Sequence, residues 1–539
     1  MDTTNSRTSS LKSMTSASSP ESGEPPETES QHATERPPLL ASASICLLMF
    51  LIGLYTTMDA VLYVPIANEF NSLPRAEWII NSYLITTTAM QPIYGKVSDI
   101  TGRSFAMVTA SFLLLVGSVL SATAQSMDLL IFSRAIQGLG SAGLYTMVNV
   151  VIADLYNERM RGRFMGIASG AWSLSSSGAV VLGGVIVQYS TWRVAFWINV
   201  PICLIAAAIV LSIMHLPVPG GTLRDKLRRI DFGGSLLSLL AIVFILLALS
   251  WGGRDYDWGS AAVVCCLMFG TLISLLFIVY ENRVPLEPIV PLHLLRTRNV
   301  ALAFIGHLFF GAITYAPLMF IPQWALVVKN TTPITSGLYT LPITLTEFVA
   351  VVISGLWVTR SGRYCECVWL GSIMLISGLT PLILLDQKSG LGYIIGFQVI
   401  AGVGYGMCIQ TLILTAQVSA AGRDSASATS VCLFMRSLGA ILVVAVLSSV
   451  SSNRLESEFA SVSETYPEYA SDIARVAENQ SLIHVLDLPP EVFNSLVNAF
   501  MEGMRAAFTA LIPFSALFVA TVVWIKREPL QTTKKATIE

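Results

Sequence analysis

Apolar residues along this chain gather into long runs separated by short polar, charged connections. Fourteen such runs are readable, near 43–66, 77–96, 104–124, 129–155, 164–188, 194–214, 231–251, 259–280, 299–321, 335–357, 365–386, 392–417, 427–450 and 503–525. A helix needs about 20 apolar residues to cross the hydrocarbon of a bilayer, so each run is long enough to span. None alternates with the period of a barrel strand, and lipid offers no partner to an unpaired N–H or C=O, so the spans are expected to be helices. The fold class this pattern predicts is an all-α membrane protein with 14 transmembrane helices.

The ends are different. Residues 1–42 are rich in Ser, Thr, Pro and Glu, bury too little to fold, and are expected to form a disordered cytosolic tail with no cleavable leader. Residues 526–539 form a short cytosolic C-tail. The segment 451–502 is the one long outer loop and mixes acids with Val492, Phe493 and Leu496, so part of it is expected to be an amphipathic helix on the surface.

Composition agrees with the pattern. The chain has 539 residues, 53% hydrophobic and 12% charged, with a formal net charge of −2. Soluble domains carry about 25% charged residues, so a soluble reading and a nucleic-acid partner are both excluded as expectations. With the N-terminus in the cytosol, 19 of the 32 Lys and Arg residues fall on the inner side and eight on the outer, which fixes the expected orientation. Two sequons, at Asn330 and Asn479, then lie outside. The triplet Arg159, Arg161 and Arg163 reads as an inner topology anchor. The eight cysteines are scattered through apolar runs, with no spacing that suggests a metal site.

An internal repeat sets the organisation. Gly95-Lys96-Val97-Ser98-Asp99-Ile100-Thr101-Gly102-Arg103 is echoed by Gly355-Leu356-Trp357-Val358-Thr359-Arg360-Ser361-Gly362-Arg363. The echo falls eight spans later, where a plain duplication of six-span halves would put it six later. Two spans therefore read as inserted between halves. The expected domains are a first six-helix bundle over 43–214, a linker with the inserted spans over 215–298, and a second six-helix bundle over 299–525 that includes the long loop. Paired six-helix bundles mark a rocking secondary transporter.

Four motifs in this order resemble the major facilitator superfamily, in its 14-span drug:proton antiporter branch of fungal type. They are the loop Gly95–Arg103, the fourth-span Arg134-Ala135-Ile136-Gln137-Gly138-Leu139-Gly140, the first-span Met58-Asp59-Ala60-Val61 running to Pro65, and Trp192–Pro201 at the start of span six. Span five departs from the branch. Ala179-Val180-Val181-Leu182-Gly183-Gly184 keeps the closing glycines and lacks the proline, which weakens antiport specifically. The resemblance implies two bundles that line a central cavity and rock about a midplane site, driven by a proton gradient with no bound cofactor. No phosphate-binding P-loop and no nucleophile–base set is present, so no enzyme activity is expected.

Within that frame, Asp59 and Arg134 lie at one depth on cavity-lining helices. They are expected to pair, with Asp59 as the proton-coupling carboxylate. Glu347 and His307 are further intramembrane titratable candidates. In the loop copies, Gly95 and Gly102 are expected to make a tight turn, Asp99 to accept from a neighbouring helix N-terminus, and Arg103 to latch across the cytosolic face. Gly355, Gly362 and Arg363 are the corresponding latch positions. Cavity candidates are Asn81, Tyr83, Gln91, Gln137, Asn149, Gln398 and Gln410, and so few fixed charges suggest a weakly polar substrate.

The leading reading is a monomeric proton-coupled exporter of small amphipathic organic compounds in the plasma membrane. A vacuolar, siderophore or amino-acid transporter of the same fold stays open, with the dileucine pattern Glu35–Leu40 as its hint, as does a non-transporting sensor.

Overall fold

A computed structural model describes residues 39–530 except 71, 73–74, 76–77, 214–230, 254–255, 285–287, 289–291, 421–423, 479, 485 and 487. The described residues form long helices and no β-strand. The first bundle comprises α1 Leu39–Glu69, α2 Trp78–Thr101, α3 Arg103–Ala122, α4 Met127–Leu155, α5 Glu158–Tyr189 and α6 Arg193–Ile213. Two helices follow, α7 Phe232–Trp251 and α8 Ala261–Arg283. The second bundle is α9 Arg298–Val328, α10 Leu341–Ser361, α11 Tyr364–Leu379, α12 Leu391–Ser419, α13 Ser425–Thr465 and α14 Pro490–Val523.

Against fourteen expected spans, 11 of the described helices are long and apolar enough to cross a bilayer. The other three are α1 and α6, whose apolar runs over described residues are the shorter Ser42–Met58 and Arg193–Ile205, and α2, which carries Asn81, Thr86, Thr87, Thr88 and Gln91. Those polar residues lower its hydropathy for a reason given below.

Each connection has a local cause. Ser126 caps α4 by accepting from the Leu129 N–H at 3.3 Å, and Asn157 caps α5 by accepting from the Met160 N–H at 2.9 Å. Gly102 separates α2 from α3 at φ 101°, and Gly362 closes α10 at φ 69°. Both angles strain an L side chain, so both second glycines of the repeat are conformational necessities. Gly95 departs from expectation: it lies inside α2 and makes no turn.

The end of the bundle that carries Lys96, Arg103, Arg159 and Arg363 is called the basic end below. There, one apolar cluster runs through both bundles, joining Met147 and Val151 of α4 to Phe304 of α9, Ile413 of α12 and Leu433 of α13. The segment expected as a long loop is mostly helical. α13 continues to Thr465, and a short helix Ala470–Glu478 turns Ile473 and Val476 into the second-bundle core beside Phe459 and Leu496. Burying these side chains, each about 1.5–3 kcal/mol, is what orders it.

The inserted pair takes unequal places. α7 lies over the line where α2 meets α13, with Leu246 packed on Ile85 and Ala89 and beside Leu438 and Ile441. α8 packs on α7, and only 11% of its apolar window is buried.

Candidate functional site

Between the bundles, on the side away from the basic end, lies a cavity of about 470 Å³. Its first-bundle wall comes from Thr56 of α1, Asn81, Tyr83, Thr87, Thr88 and Gln91 of α2, Ser141 and Tyr145 of α4, and Trp172 of α5. The opposite wall comes from Tyr315, Met319, Phe320 and Gln323 of α9, and Arg436, Ser437, Ile441, Val444 and Ser448 of α13. Leu249 and Gly252 of the inserted helix close one side. The polar residues that make α2 a poor hydropathy match, all but Thr86, therefore face this space.

Three of the cavity candidates, Asn81, Tyr83 and Gln91, line it. The others are placed elsewhere. Gln137 accepts from Arg134 Nη1 at 2.7 Å and donates to Ser118 Oγ at 3.2 Å. Asn149 donates to the Tyr145 carbonyl at 3.0 Å, and its own Oδ1 has no partner. Gln410 donates to Ser169 Oγ, tying α12 to α5. Gln398 is buried with neither amide atom bonded. Helix-to-helix packing explains this set better than ligand contact, except for the unbonded atoms.

Arg134 is fully buried. It donates to the Ile79 carbonyl at 3.2 Å and to Gln137, and its guanidinium lies 4.6 Å from the centroid of the Tyr83 ring. The side chain of Asp59, on α1, lies outside the described residues. Gly138 sits where a Cβ would strike Thr86 Oγ1 and the Tyr83 carbonyl, so the fourth-span motif lets α4 lie directly on α2. Gly183 and Gly184 are buried on an unbroken α5.

Glu347 of α10 is buried, with Oε1 unbonded and Arg436 and Ser173 as its electrostatic neighbours. His307 of α9 is fully buried. Its Nδ1 donates to the Ala303 carbonyl at 2.8 Å and its Nε2 has no partner. Neither lines the cavity. The residue that does, and that sequence reasoning passed over, is Arg436. Its Nη2 donates to Tyr145 Oη at 2.8 Å, bridging the bundles at the cavity floor. The signal was present, as Arg436 is an arginine in the interior of a predicted span.

The basic end is shut by two seams that use the two copies of the repeat alike. Gly95 of α2 lies where a Cβ would press on Ser430 of α13, and Gly355 of α10 where one would press on the Gly162 carbonyl of α5. Arg103 does not reach across the bundles. Its Nη1 meets Asp99 Oδ1 at 2.6 Å and its Nε meets Asp154 Oδ2 at 2.8 Å, so it clamps α2, α3 and α4 together. Asp99 finds its partner in this arginine and in no helix N-terminus among the described contacts. The reach across falls to Arg159, read from sequence as an anchor. It donates to the carbonyls of Thr359 at 2.8 Å and Arg360 at 2.7 Å, the last turn of α10. Carbonyls left open at a helix C-terminus attract a cation, and the echo loop supplies them in this place. Arg363 is exposed next to that turn.

At the opposite end, Arg193 and Trp192 both donate to Glu69, and these bonds hold its carboxyl below the usual range. Asn330 is exposed there, and Asn479 lies outside the described residues. All eight cysteines are free, and no metal-ligating cluster occurs among the described residues.

The whole arrangement is that of a two-bundle membrane carrier. Residues 45–444 match the model of the Major Facilitator Superfamily, and the chain belongs to that family. It is 30% identical over 497 residues to the efflux pump dotC of Dothistroma septosporum, covering 92% of this chain and 85% of that one. It is 29% identical over 482 residues to the MFS-type efflux pump LUC4 of a Fusarium species, covering 89% and 86%. Among solved structures, the human organic anion transporter MFSD10 superposes with a TM-score of 0.57 over 90% of this chain and 99% of that one, at 15% identity. A bacterial homologue of the human lysosomal transporter Spinster, inward-facing and unoccupied, superposes at 0.54 over 90% and 98%, at 16% identity. These two show the fold. The protein is a multi-pass membrane transporter of organic compounds and not an enzyme.

Proposed function

We propose that this transporter exports small amphipathic organic compounds in exchange for protons, with its basic end in the cytosol. The observation that carries the reading is the cavity itself. It is ready on one side and sealed on the other by an apolar cluster and two glycine seams, which is one of the two states alternating access requires. The excess of Lys and Arg sets the sealed end inside. The other state would open that end and wet Asn149 Oδ1 and His307 Nε2, polar atoms that have no partner while it is shut. Efflux pumps among its relatives support the export direction. A monomer in the plasma membrane, glycosylated at Asn330, completes the reading.

Proton coupling is assigned to Asp59, with Arg134 as its partner, and to Glu347, with His307 in support. An acid held in the membrane interior is retained for a function more often than for packing. The test is substrate-induced proton flux in proteoliposomes across a compound panel. Asp59→Asn and Glu347→Gln should each carry substrate with little or no dependence on the pH gradient. Full gradient dependence in both variants overturns the coupling, and loss in one alone assigns it.

A further inference from the structure

The cavity floor says more about what is carried, and the inference rests on the transport reading above. Arg436 is the single charged side chain among the described lining residues, and it is 7% exposed. Among the described residues it forms no ion pair, and its bonded partner is the neutral Tyr145 hydroxyl. Glu347 is near enough to feel its charge but sits behind the wall, outside the lining. A guanidinium has five N–H donors in a planar fork that matches a carboxylate. Buried with no acid at bonding distance, it is a costly group, and an anion arriving in the cavity relieves that cost. Above it stand Trp172, Phe320 and Ile441, flat or branched apolar surfaces suited to a ring system.

We infer that the cavity is an organic-anion site, in which Arg436, steadied by Tyr145, receives a carboxylate or ionised phenol whose apolar body lies against Trp172 and Phe320. Cations of the same shape are disfavoured because they meet a fixed positive charge in a low-dielectric space.

The experiment uses three compounds of one shape and different charge: 1-naphthoate, 1-naphthamide and 1-naphthylmethylammonium. Binding is read on the purified full chain by quenching of tryptophan fluorescence, and transport in proteoliposomes with an internal pH dye. The wild type should bind naphthoate about ten-fold or more tighter than either of the others, the size expected of a charge-assisted hydrogen-bonded pair. Arg436→Gln should bring naphthoate to the level of naphthamide and leave naphthamide nearly unchanged. Arg436→Lys should keep part of the preference, and it carries the test if the glutamine variant does not fold. The inference is overturned if the wild type prefers the ammonium or the amide, if it binds none of the three, or if Arg436→Gln keeps the naphthoate preference. The two readings fail separately. Cation transport with proton exchange sinks the anion site and keeps the coupling, whereas naphthoate transport without proton flux does the reverse.

Discussion

The seam between α5 and α10 and the seam between α2 and α13 carry the two copies of one nine-residue repeat, yet they are built to different depths. α5 and α10 are joined over most of their length. The Gly162–Gly355 contact lies near the basic end, and Ser173 and Ser177 donate to the Thr344 carbonyl and hydroxyl toward the other. α2 and α13 touch at Gly95 and Ser430, meet again where Ser437 donates to Gln91 at 3.4 Å, and then part around the cavity. One seam is zipped and the other is hinged. The difference follows from what each glycine faces. Gly355 faces the backbone carbonyl of Gly162, whereas Gly95 faces the Ser430 hydroxyl, which can rotate, and the Ser430 Cβ, which cannot.

That contrast is open to direct attack. The largest effect is expected from Gly355→Ala, which should cost about 1–3 kcal/mol by overpacking and remove most transport, while Gly95→Ala, part of whose clash is with a rotatable hydroxyl, should fall at the low end of that range. Melting in detergent and initial transport rates check both, and the reverse order would break the comparison. Next, Arg103→Gln strands Asp99 and Asp154, which are 19% and 37% exposed, so about 1–3 kcal/mol of basic-end stability should go. The readout is the reactivity of Asn149→Cys toward a polar thiol reagent added from the basic side. It should rise sharply in Arg103→Gln and partly recover in Arg103→Lys.

Arg159→Gln removes two bonds to partly exposed carbonyls of the zipped seam and should cost about 0.5–1 kcal/mol, with transport slowed less than by Gly355→Ala. An equal or greater loss would mean that this arginine, and not the glycine contact, closes the seam. The smallest effect belongs to Glu69, away from both seams. Its folded-state pKa is depressed by Arg193, so its stabilisation is full above the ordinary carboxylate range and is lost as pH falls through the lower folded value. Glu69→Gln should therefore flatten the acid limb of the melting-temperature profile and leave neutral-pH transport unchanged.

The sequence made the bundles readable because burial in lipid demands long apolar runs whatever the packing, and the motif order then named the family. It made Gly102 and Gly362 readable because glycine is the residue most at ease at their left-handed backbone angles. It misplaced Gly95 because a glycine that lets two helices touch looks the same in sequence as one that lets a chain turn. The roles of Arg103 and Arg159 exchanged for a similar reason, since spacing shows that a cation is present and not which helix end it meets. Asn81, Tyr83 and Gln91 were legible as cavity groups, but Tyr145, Tyr315 and Arg436 were not, because an amphipathic register cannot tell a face turned to a partner bundle from one turned to the space between. Arg436 was visible as a charge in an apolar run. Only its lack of an acid at bonding distance, a property of three dimensions, marks it out.

The inserted helix has one further consequence. A cavity between two bundles has two flanks through which greasy cargo could slide back among the acyl tails. The zipped seam lies along the first, and α7 is laid over the parted half of the other, with Trp258 bonded to Ser449 at its rim. Under the export proposed above, these two walls direct the cargo forward into water and not back to the leaflet it came from.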